Sequence, residues 1–198
     1  MGLDTVELVV SFEKYFEVNI PDRVCEQLGT VGDVAAWLGQ QFDTTTQRES
    51  AVREAVAGHL HEVFAQAKRH PALQAETTLL VQLVPDRTAQ TYYAAQLLAR
   101  HELKLPELPV VAPLRSSSWL ARLFGSDRLP PKPALLTSTI ADLIDWTVAF
   151  NYEKLLRPPF RSQYDMEQAV IGLTSDKSGV DIPDITLRSS FTNDLGMD

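Results

Sequence analysis

The first strongly patterned stretch of the chain covers residues 2–22, in which apolar side chains recur every three or four positions before a turn. The recurring residues are Leu8, Val9, Phe12, Tyr15 and Phe16. This spacing predicts an amphipathic helix with one buried stripe that ends near Phe16. Asp4 and Glu7 lie in its first turn, where the helix dipole favours negative charge, and Pro21 stops the following turn from continuing as a helix.

The same periodicity predicts helices along the rest of the chain. We expect them from Thr30 to about Phe42, about Arg48 to about Arg69, Ser116 to Phe124, and about Gln163 to Ser175. In the second of these, the apolar face is formed by Val52, Val56, Leu60, Val63 and Phe64. In the last, it is formed by Met166, Val170 and Leu173. The expected fold class is therefore all-α.

Two short segments recur later in the chain, in the same order. Residues 17–22 recur as residues 102–107, and residues 30–37 recur as residues 139–146. Repetition in a fixed order indicates two copies of one supersecondary unit. The second copy holds an insert at about 108–138, in which several prolines surround a short apolar helix.

Charge divides the chain into acidic ends and a mildly basic middle. The protein has 198 residues and a net charge of −8. Residues 1–46 carry eight acids against two bases, and residues 159–198 carry seven acids against three bases. Nucleic-acid binding relies on clustered Lys and Arg, so this distribution argues against a nucleic-acid partner. It permits a basic protein partner, or contact between the acidic ends of the chain and its middle.

The composition excludes several classes of protein and several kinds of site. No apolar run approaches the roughly 20 residues that span a bilayer, and no secretory signal is visible, so we expect a cytoplasmic protein. Cys25 is the only cysteine, which excludes an internal disulfide and a thiolate metal cluster. His59 and His61 are two positions apart on a predicted helix and face different sides, so we expect no metal site. No catalytic motif is present, and we expect no enzyme.

The order of residues in the N-terminal segment adds information that periodicity does not. Residues 2–22 resemble the second, partner-recognising helix of acyl carrier proteins together with its Ile-Pro-Asp turn, and residues 30–38 resemble the last helix of that family. Residues 78–98 resemble the loop after helix one and the recognition helix a second time. Residues 163–198 resemble helix one and its loop.

The resemblance implies two small acyl-carrier-like helical bundles. One is a circularly permuted module of residues 1–46 with 163–198, and the other is a second copy over residues 47–158 with the insert. The two terminal segments must complete each other, either within one chain or between two chains. We expect the intrachain form and a monomer, with a swapped dimer as the alternative.

The family attaches its phosphopantetheine arm to the serine of an Asp-Ser-Leu motif. Aligned without gaps, this position is Gly2 in the first module and Arg87, after Asp86, in the second. Placing the arm on Thr5 would require deleting three residues from the alignment. The resemblance therefore predicts a degenerate carrier site and no cofactor.

Three functions remain open after these exclusions. The favoured one is a non-catalytic carrier-like module that docks on a basic protein partner through an acidic helix face. Its expected docking residues, which point largely to solvent, are Asp4, Glu7, Glu13 and Glu17. The second is a genuine acyl carrier. The third is a membrane-surface adaptor that uses Trp119 and Phe124 of the insert, which could equally contact a protein partner or pack on its own module.

Overall fold

The structure is a computed structural model that describes residues 3–44, 49–66, 76–108 and 137–197. Its helices are α1 (Leu3–Phe16), α2 (Asp22–Cys25), α3 (Val31–Gln41), α4 (Ala51–Gln66), α5 (Leu80–Leu83), α6 (Arg87–His101), α7 (Ile140–Phe150), α8 (Tyr152–Leu155) and α9 (Gln163–Ser178), followed by a 3-10 turn (Ile182–Asp184). The described ranges contain two isolated backbone bridges but no strand, so the all-α class is confirmed. No helix in these ranges has the length and apolar character needed to cross a membrane.

The helices form two compact units. Unit 1 comprises Met1–His59 and Ile144–Asp198, and unit 2 comprises Leu60–Leu143. The boundaries between them fall inside α4 and α7. The carrier-like modules expected over 1–46 with 163–198 and over 47–158 stay a prediction. The expected helix from Ser116 to Phe124 lies outside the described residues.

Unit 1 is organised around α9, which comes from the far end of the chain. It packs against α1, α3, α8 and the 3-10 turn. On α1, Leu8, Phe12 and Phe16 are each only 1% exposed, as the helical spacing predicted. Segments separated by most of the sequence therefore share one core.

The burial of α9 is more complete than its sequence indicates. Met166, Val170 and Leu173 are buried as expected, and so are the residues between them except the half-buried Glu167. The buried residues of α9 are Asp165, Met166, Gln168, Ala169, Val170, Ile171, Gly172, Leu173 and Thr174. A helix with neighbours on several sides needs no polar face, because little of its surface meets water. Gly172 fits here because a Cβ would collide with the Ala149 carbonyl and the Tyr152 ring.

In unit 1, the loop before the C-terminal end lies across the start of α3. We call this contact the first junction, formed by residues 29–32 and 187–191. Three backbone hydrogen bonds hold it: Val31 N to Ser189 O at 3.1 Å, Gly32 N to Leu187 O at 2.8 Å, and Phe191 N to Gly29 O at 3.2 Å.

Unit 2 contains the same arrangement at the start of α7. We call it the second junction, formed by residues 76–80 and 138–141. Its hydrogen bonds are Ile140 N to Thr78 O at 3.0 Å, Ala141 N to Glu76 O at 3.0 Å, and Leu80 N to Ser138 O at 2.8 Å. Each bond has its counterpart in the first junction, with the same spacing between donors and acceptors.

The helices that receive these loops also begin alike. Thr30 accepts a hydrogen bond from Asp33 N at 3.2 Å, and Asp33 Oδ2 accepts from Thr30 N at 2.9 Å. Thr139 accepts from Asp142 N at 3.4 Å, and Asp142 Oδ2 accepts from Thr139 N at 2.7 Å. Both are capping boxes, in which the first-turn amides and the cap residue satisfy one another.

The helices α1 and α6 also match each other when residues 85 positions apart are compared. Leu8 and Phe12 of α1 correspond to the buried Tyr93 and Leu97 of α6. After each helix the chain turns at a glutamate in the left-handed region, Glu17 and Glu102, both with φ of 54°. In unit 2 the Tyr93 ring packs edge-on against Phe64 at 4.8 Å, which joins α6 to α4.

Candidate docking surface

The outward side of α1 combines acidic and apolar residues. Asp4, Glu7 and Glu17 are exposed, as expected. Val6 and Val10 are 45% and 54% exposed, so this side also offers apolar surface. These positions follow from the helical period, because Leu8, Phe12 and Phe16 turn the opposite stripe into the core. The surface can attract a positively charged molecule and then cover apolar area against it.

Glu13 differs from the other three acids. It is half-buried, and its Oε1 accepts a hydrogen bond from Ile20 N at 2.8 Å. The expectation that Glu13 points largely to solvent is therefore wrong. Its carboxylate holds the segment after α1, whose backbone amide needs an acceptor once the helix has ended.

A shallow groove of about 260 Å³ lies between α1 and α2. Its lining residues are Val6, Val9, Val10, Glu13, Ile20, Asp22, Cys25 and Glu26. Val9 was predicted to belong to the core, but it is half-buried and lines this groove. The groove is thus lined by both apolar and acidic side chains.

Cys25 at the edge of this groove is poorly suited to act as a nucleophile. Its Sγ lies 3.6 Å from the Ile20 carbonyl oxygen, to which it can donate. Burial raises the pKa of the thiol above its usual value, and the neighbouring Asp22 and Glu13 carboxylates raise it further. A raised pKa lowers the fraction of reactive thiolate at neutral pH.

The residues at the two carrier-serine positions do not fit a phosphopantetheine arm. Arg87 is the first residue of α6, and its exposed guanidinium lies 3.6 Å from the Glu107 carboxylate. Gly2 lies outside the described residues and has no hydroxyl in any case. Thr5 is half-buried, and its hydroxyl donates to the Met197 carbonyl at 3.4 Å. None of the three presents a free hydroxyl for attack on a phosphate.

Two further expectations concern residues away from α1. Trp119 and Phe124, the expected contact residues of the insert, lie outside the described residues. Within the described ranges, no group of three or more His, Cys, Asp and Glu side chains could hold a metal ion.

A polar network within unit 1 was not visible from the sequence. Asp145 Oδ1 accepts hydrogen bonds from Arg53 Nε at 2.9 Å and from the Tyr164 hydroxyl at 2.7 Å. The buried Ser50 hydroxyl donates to Asp165 Oδ1 at 2.6 Å. Burial and the adjacent Asp145 carboxylate raise the pKa of Tyr164 well above its usual range. These groups satisfy one another across the connections between the helices, which indicates a structural role.

Part of the chain is similar to acyl carrier proteins. Over 37 residues, 19% of the chain, it is 50% identical to the acyl carrier protein of Akkermansia muciniphila, of which the match covers 46%. Over 40 residues, 20% of the chain, it is 58% identical to that of Picosynechococcus sp., of which the match covers 49%. The chain therefore spans about half the length of the curated relatives it matches. No family model and no solved structure matches the chain.

Proposed function

We propose that the protein is a non-catalytic, acyl-carrier-like interaction module that docks on a basic protein partner through α1. The main support for this proposal is the outward side of α1, which combines acidic and apolar surface. Its exposed residues are Asp4, Glu7, Glu17, Val6 and Val10. The similarity to acyl carrier proteins supports the carrier-like part. The matched relatives bear the name of carriers and not of enzymes, which is consistent with a protein that has no catalytic site of its own.

The two kinds of surface on α1 have separate roles in docking. Exposed acids mainly raise the encounter rate with a basic patch and orient the partner, and salt weakens this effect as the Debye length falls from about 10 Å at 0.1 M to about 3 Å at 1 M. Burial of Val6 and Val10 supplies affinity, since apolar surface removed from water contributes about 25 cal/mol per Å². Binding should therefore weaken with salt.

The proposed module is assembled from residues 1–46 and 163–198 of one chain. The packing of α9 against α1 and α3 supports this arrangement, as does the Thr5 hydrogen bond to Met197. The second module, over residues 47–158, is supported by the matching hydrogen bonds of the second junction. In the proposed arrangement each chain completes its own core, without exchange of segments between two chains.

The proposal requires that the protein carry no prosthetic arm. Incubation with a broad-specificity phosphopantetheinyl transferase and coenzyme A, followed by intact-mass analysis, should show no added mass, because Gly2 and Arg87 offer no hydroxyl. An acyl carrier protein with an intact Asp-Ser-Leu motif serves as the positive control. An adduct on Thr5 would instead identify a working carrier, which is the second candidate function.

The docking part of the proposal is tested by reversing charge on α1. A partner captured by the unmodified protein and identified by mass spectrometry should bind a Glu7→Lys, Glu17→Lys variant at least about tenfold more weakly at 0.1 M salt, while the melting temperature changes little. Glu13 is left unchanged because it supports Ile20.

The matched control is an Asp181→Lys, Asp184→Lys variant, which has the same net charge change at exposed positions away from α1. Its binding should remain close to that of the unmodified protein. Equal weakening by both variants would mean that only net charge matters. A partner that still binds the α1 variant but is lost when Trp119 and Phe124 are replaced would move the functional surface to the insert.

A further inference from the structure

A cavity of about 470 Å³ lies in unit 1 and shares no lining residue with the groove between α1 and α2. Three segments of unit 1 line it: residues 49–52 at the start of α4, residues 155–157 and 159–161 at and after the end of α8, and Asp165 in the first turn of α9. Its volume is within the range of about 300–1,000 Å³ that is typical of small-molecule sites. The cavity is therefore large enough for a small ligand.

The wall that follows α8 is held in place by the core of unit 1. Leu156 and Phe160 in this wall are buried. The Tyr15 hydroxyl donates to the Leu156 carbonyl oxygen, and the centroids of the Phe160 and Phe16 rings are 5.0 Å apart. These contacts fix the backbone on both sides of Arg157. The cavity is therefore preformed, which favours binding because a ligand does not have to order its walls.

Two arginines of this wall, Arg157 and Arg161, line the cavity and are exposed. The Arg157 Nε donates to the Glu153 carbonyl oxygen at 2.9 Å, which positions the guanidinium while its two terminal nitrogens remain able to donate to a ligand. In the part of the chain that the structure describes, no hydrogen bond or ion pair engages the Arg161 side chain. A guanidinium donates paired hydrogen bonds to a carboxylate or a phosphate, so the two arginines favour an anion.

The start of α4 adds hydrogen-bond donors to another wall. Ala51 and Val52 line the cavity and lie in the first turn of this 16-residue helix. The backbone amides of a first turn have no acceptor within the helix, and the positive end of the helix dipole lies there. These amides add to the attraction of the arginines for an anion.

Two acids, Glu49 and Asp165, also line the cavity. Asp165 is buried, and its Oδ1 accepts a hydrogen bond from the Ser50 hydroxyl at 2.6 Å. Its place in the first turn of α9 puts the carboxylate near the positive end of that helix, so its charge is stabilised within the protein. Glu49 is exposed, and solvent screens its charge. Neither acid is paired with Arg157 or Arg161 in the described part of the chain.

We propose that this cavity binds a small organic anion. Its carboxylate or phosphate group is held by Arg157 and Arg161, and its apolar part lies against Leu156 and Phe160. The charged group fixes the orientation of the ligand, and apolar contact supplies affinity. This inference does not depend on the proposed docking of α1.

Titration with anilinonaphthalene sulfonate (ANS) tests the site, because this probe combines an anionic group with apolar rings and fluoresces when it leaves water. The fluorescence should saturate at one probe per chain. Arg157→Gln combined with Arg161→Gln should raise the dissociation constant at least about tenfold, since charge-assisted hydrogen bonds are lost. The matched control, Arg23→Gln with Arg188→Gln, changes the net charge equally at exposed positions outside the cavity and should leave the dissociation constant unchanged.

Three results of this titration would overturn the proposal. They are the absence of saturable ANS binding, unchanged binding by the Arg157 and Arg161 variant, and equal weakening in both double variants, which would mean that only net charge matters. Circular dichroism of each variant verifies that it is folded.

Amide NMR spectra recorded during the titration locate the bound probe. The largest shift changes should fall on residues 49–53 and 155–161. Residues 6–10, beside the groove between α1 and α2, should change little, because the acids of that groove repel an anion. Shift changes centred on residues 6–10 would place ANS in the groove and contradict the proposal.

Displacement of bound ANS identifies the chemistry of the ligand. Benzoate and phenyl phosphate carry the two kinds of anionic group on the same ring, and benzamide has the shape of benzoate without its charge. At least one of the two anions should displace ANS at a concentration at least about tenfold lower than benzamide does. The more effective anion identifies the preferred charged group. Equal displacement by benzamide would show that charge plays no part, and the anion site would be wrong.

Discussion

The two junctions have the same hydrogen bonds but very different connections. In the first, Val31 bonds to Ser189, 158 positions away, whereas in the second Ile140 bonds to Thr78, 62 positions away in the opposite order. A capped helix start and a short extended loop are enough to specify the contact wherever they occur in the chain. The geometry of the contact is therefore the same in both units, although its two segments occur in opposite order and at different separations along the chain.

The two units also differ in which positions of their matching helices have the same character. The buried positions stay apolar, as at Phe12 and Leu97, whereas the outward faces of α1 and α6 differ in charge. Substitutions at the exposed positions cost little stability, so the same scaffold can present an acidic face in one unit and an uncharged face in the other.

Removal of α9 should have the largest effect of the changes considered, because it should unfold α1 in unit 1 and leave α6 in unit 2 folded. Truncation after Pro159 exposes Leu8, Phe12 and Phe16, whose burial contributes about 1.5–3 kcal/mol each. The total of about 5–9 kcal/mol is comparable to the whole stability of a small domain. Hydrogen-exchange mass spectrometry should show that residues 4–16 lose protection, while residues 87–101 of α6 keep theirs.

A full-length variant verifies that the effect comes from lost packing. Val170→Asp places a charge at a fully buried position of α9 and should reproduce the loss of protection in α1. Unchanged exchange of residues 4–16 in the truncated chain would contradict the shared core of α1 and α9 and the permuted module with it.

The next largest effect is expected from substitutions at the equivalent positions 32 and 141 of the two junctions. A Cβ on Gly32 would lie 2.7 Å from the Leu187 carbonyl oxygen, so Gly32→Ala must displace the loop of the first junction. We expect a loss of about 1–3 kcal/mol in urea unfolding. The second junction already has alanine at the equivalent position, and Ala141→Gly should cost no more than about 1 kcal/mol.

If Gly32→Ala left the free energy of unfolding unchanged or raised it, residues 187–191 would be able to move outward and make room for the methyl group. In that case the arrangement at Ala141 in the second junction, which already accommodates a methyl group, would also be accessible to the first.

The smallest expected effects concern the two capping boxes. Thr30→Ala and Thr139→Ala each remove one side-chain acceptor from a first-turn amide, at a cost of about 0.5–2 kcal/mol. Because the two boxes have the same bonds, the two losses in urea unfolding should agree within about 0.5 kcal/mol. A clear loss for one substitution and none for the other would contradict their equivalence.

The sequence predicted the positions of the helices better than it predicted which residues surround each side chain. The stripe of Leu8, Phe12 and Phe16 follows from helical periodicity, and the start of α3 follows from the Thr30 cap. Both are local properties of a few adjacent residues. Glu13 and Val9 were misplaced because their environment is formed by Ile20 and α2, which return along α1 only after the turn.

The candidate site shows the same limit. Exposure of Asp4, Glu7 and Glu17 could be predicted from the helix alone. The groove beside them could not, because its far wall belongs to α2. The burial of α9 on several sides also lacks a sequence signal, since residues such as Gln168 and Thr174 are polar yet buried.

The packing of α9 on α1 has a consequence for synthesis on the ribosome. The α1 segment leaves the ribosome before its core partner α9, which begins at Gln163, almost 150 residues later. At about 5–20 residues per second, the apolar stripe of α1 stays without its partner for roughly 7–30 s. The last residue of the second junction, Ala141, emerges 22 residues before Gln163. The apolar stripe of the nascent α1 segment thus remains without its core partner until α9 emerges.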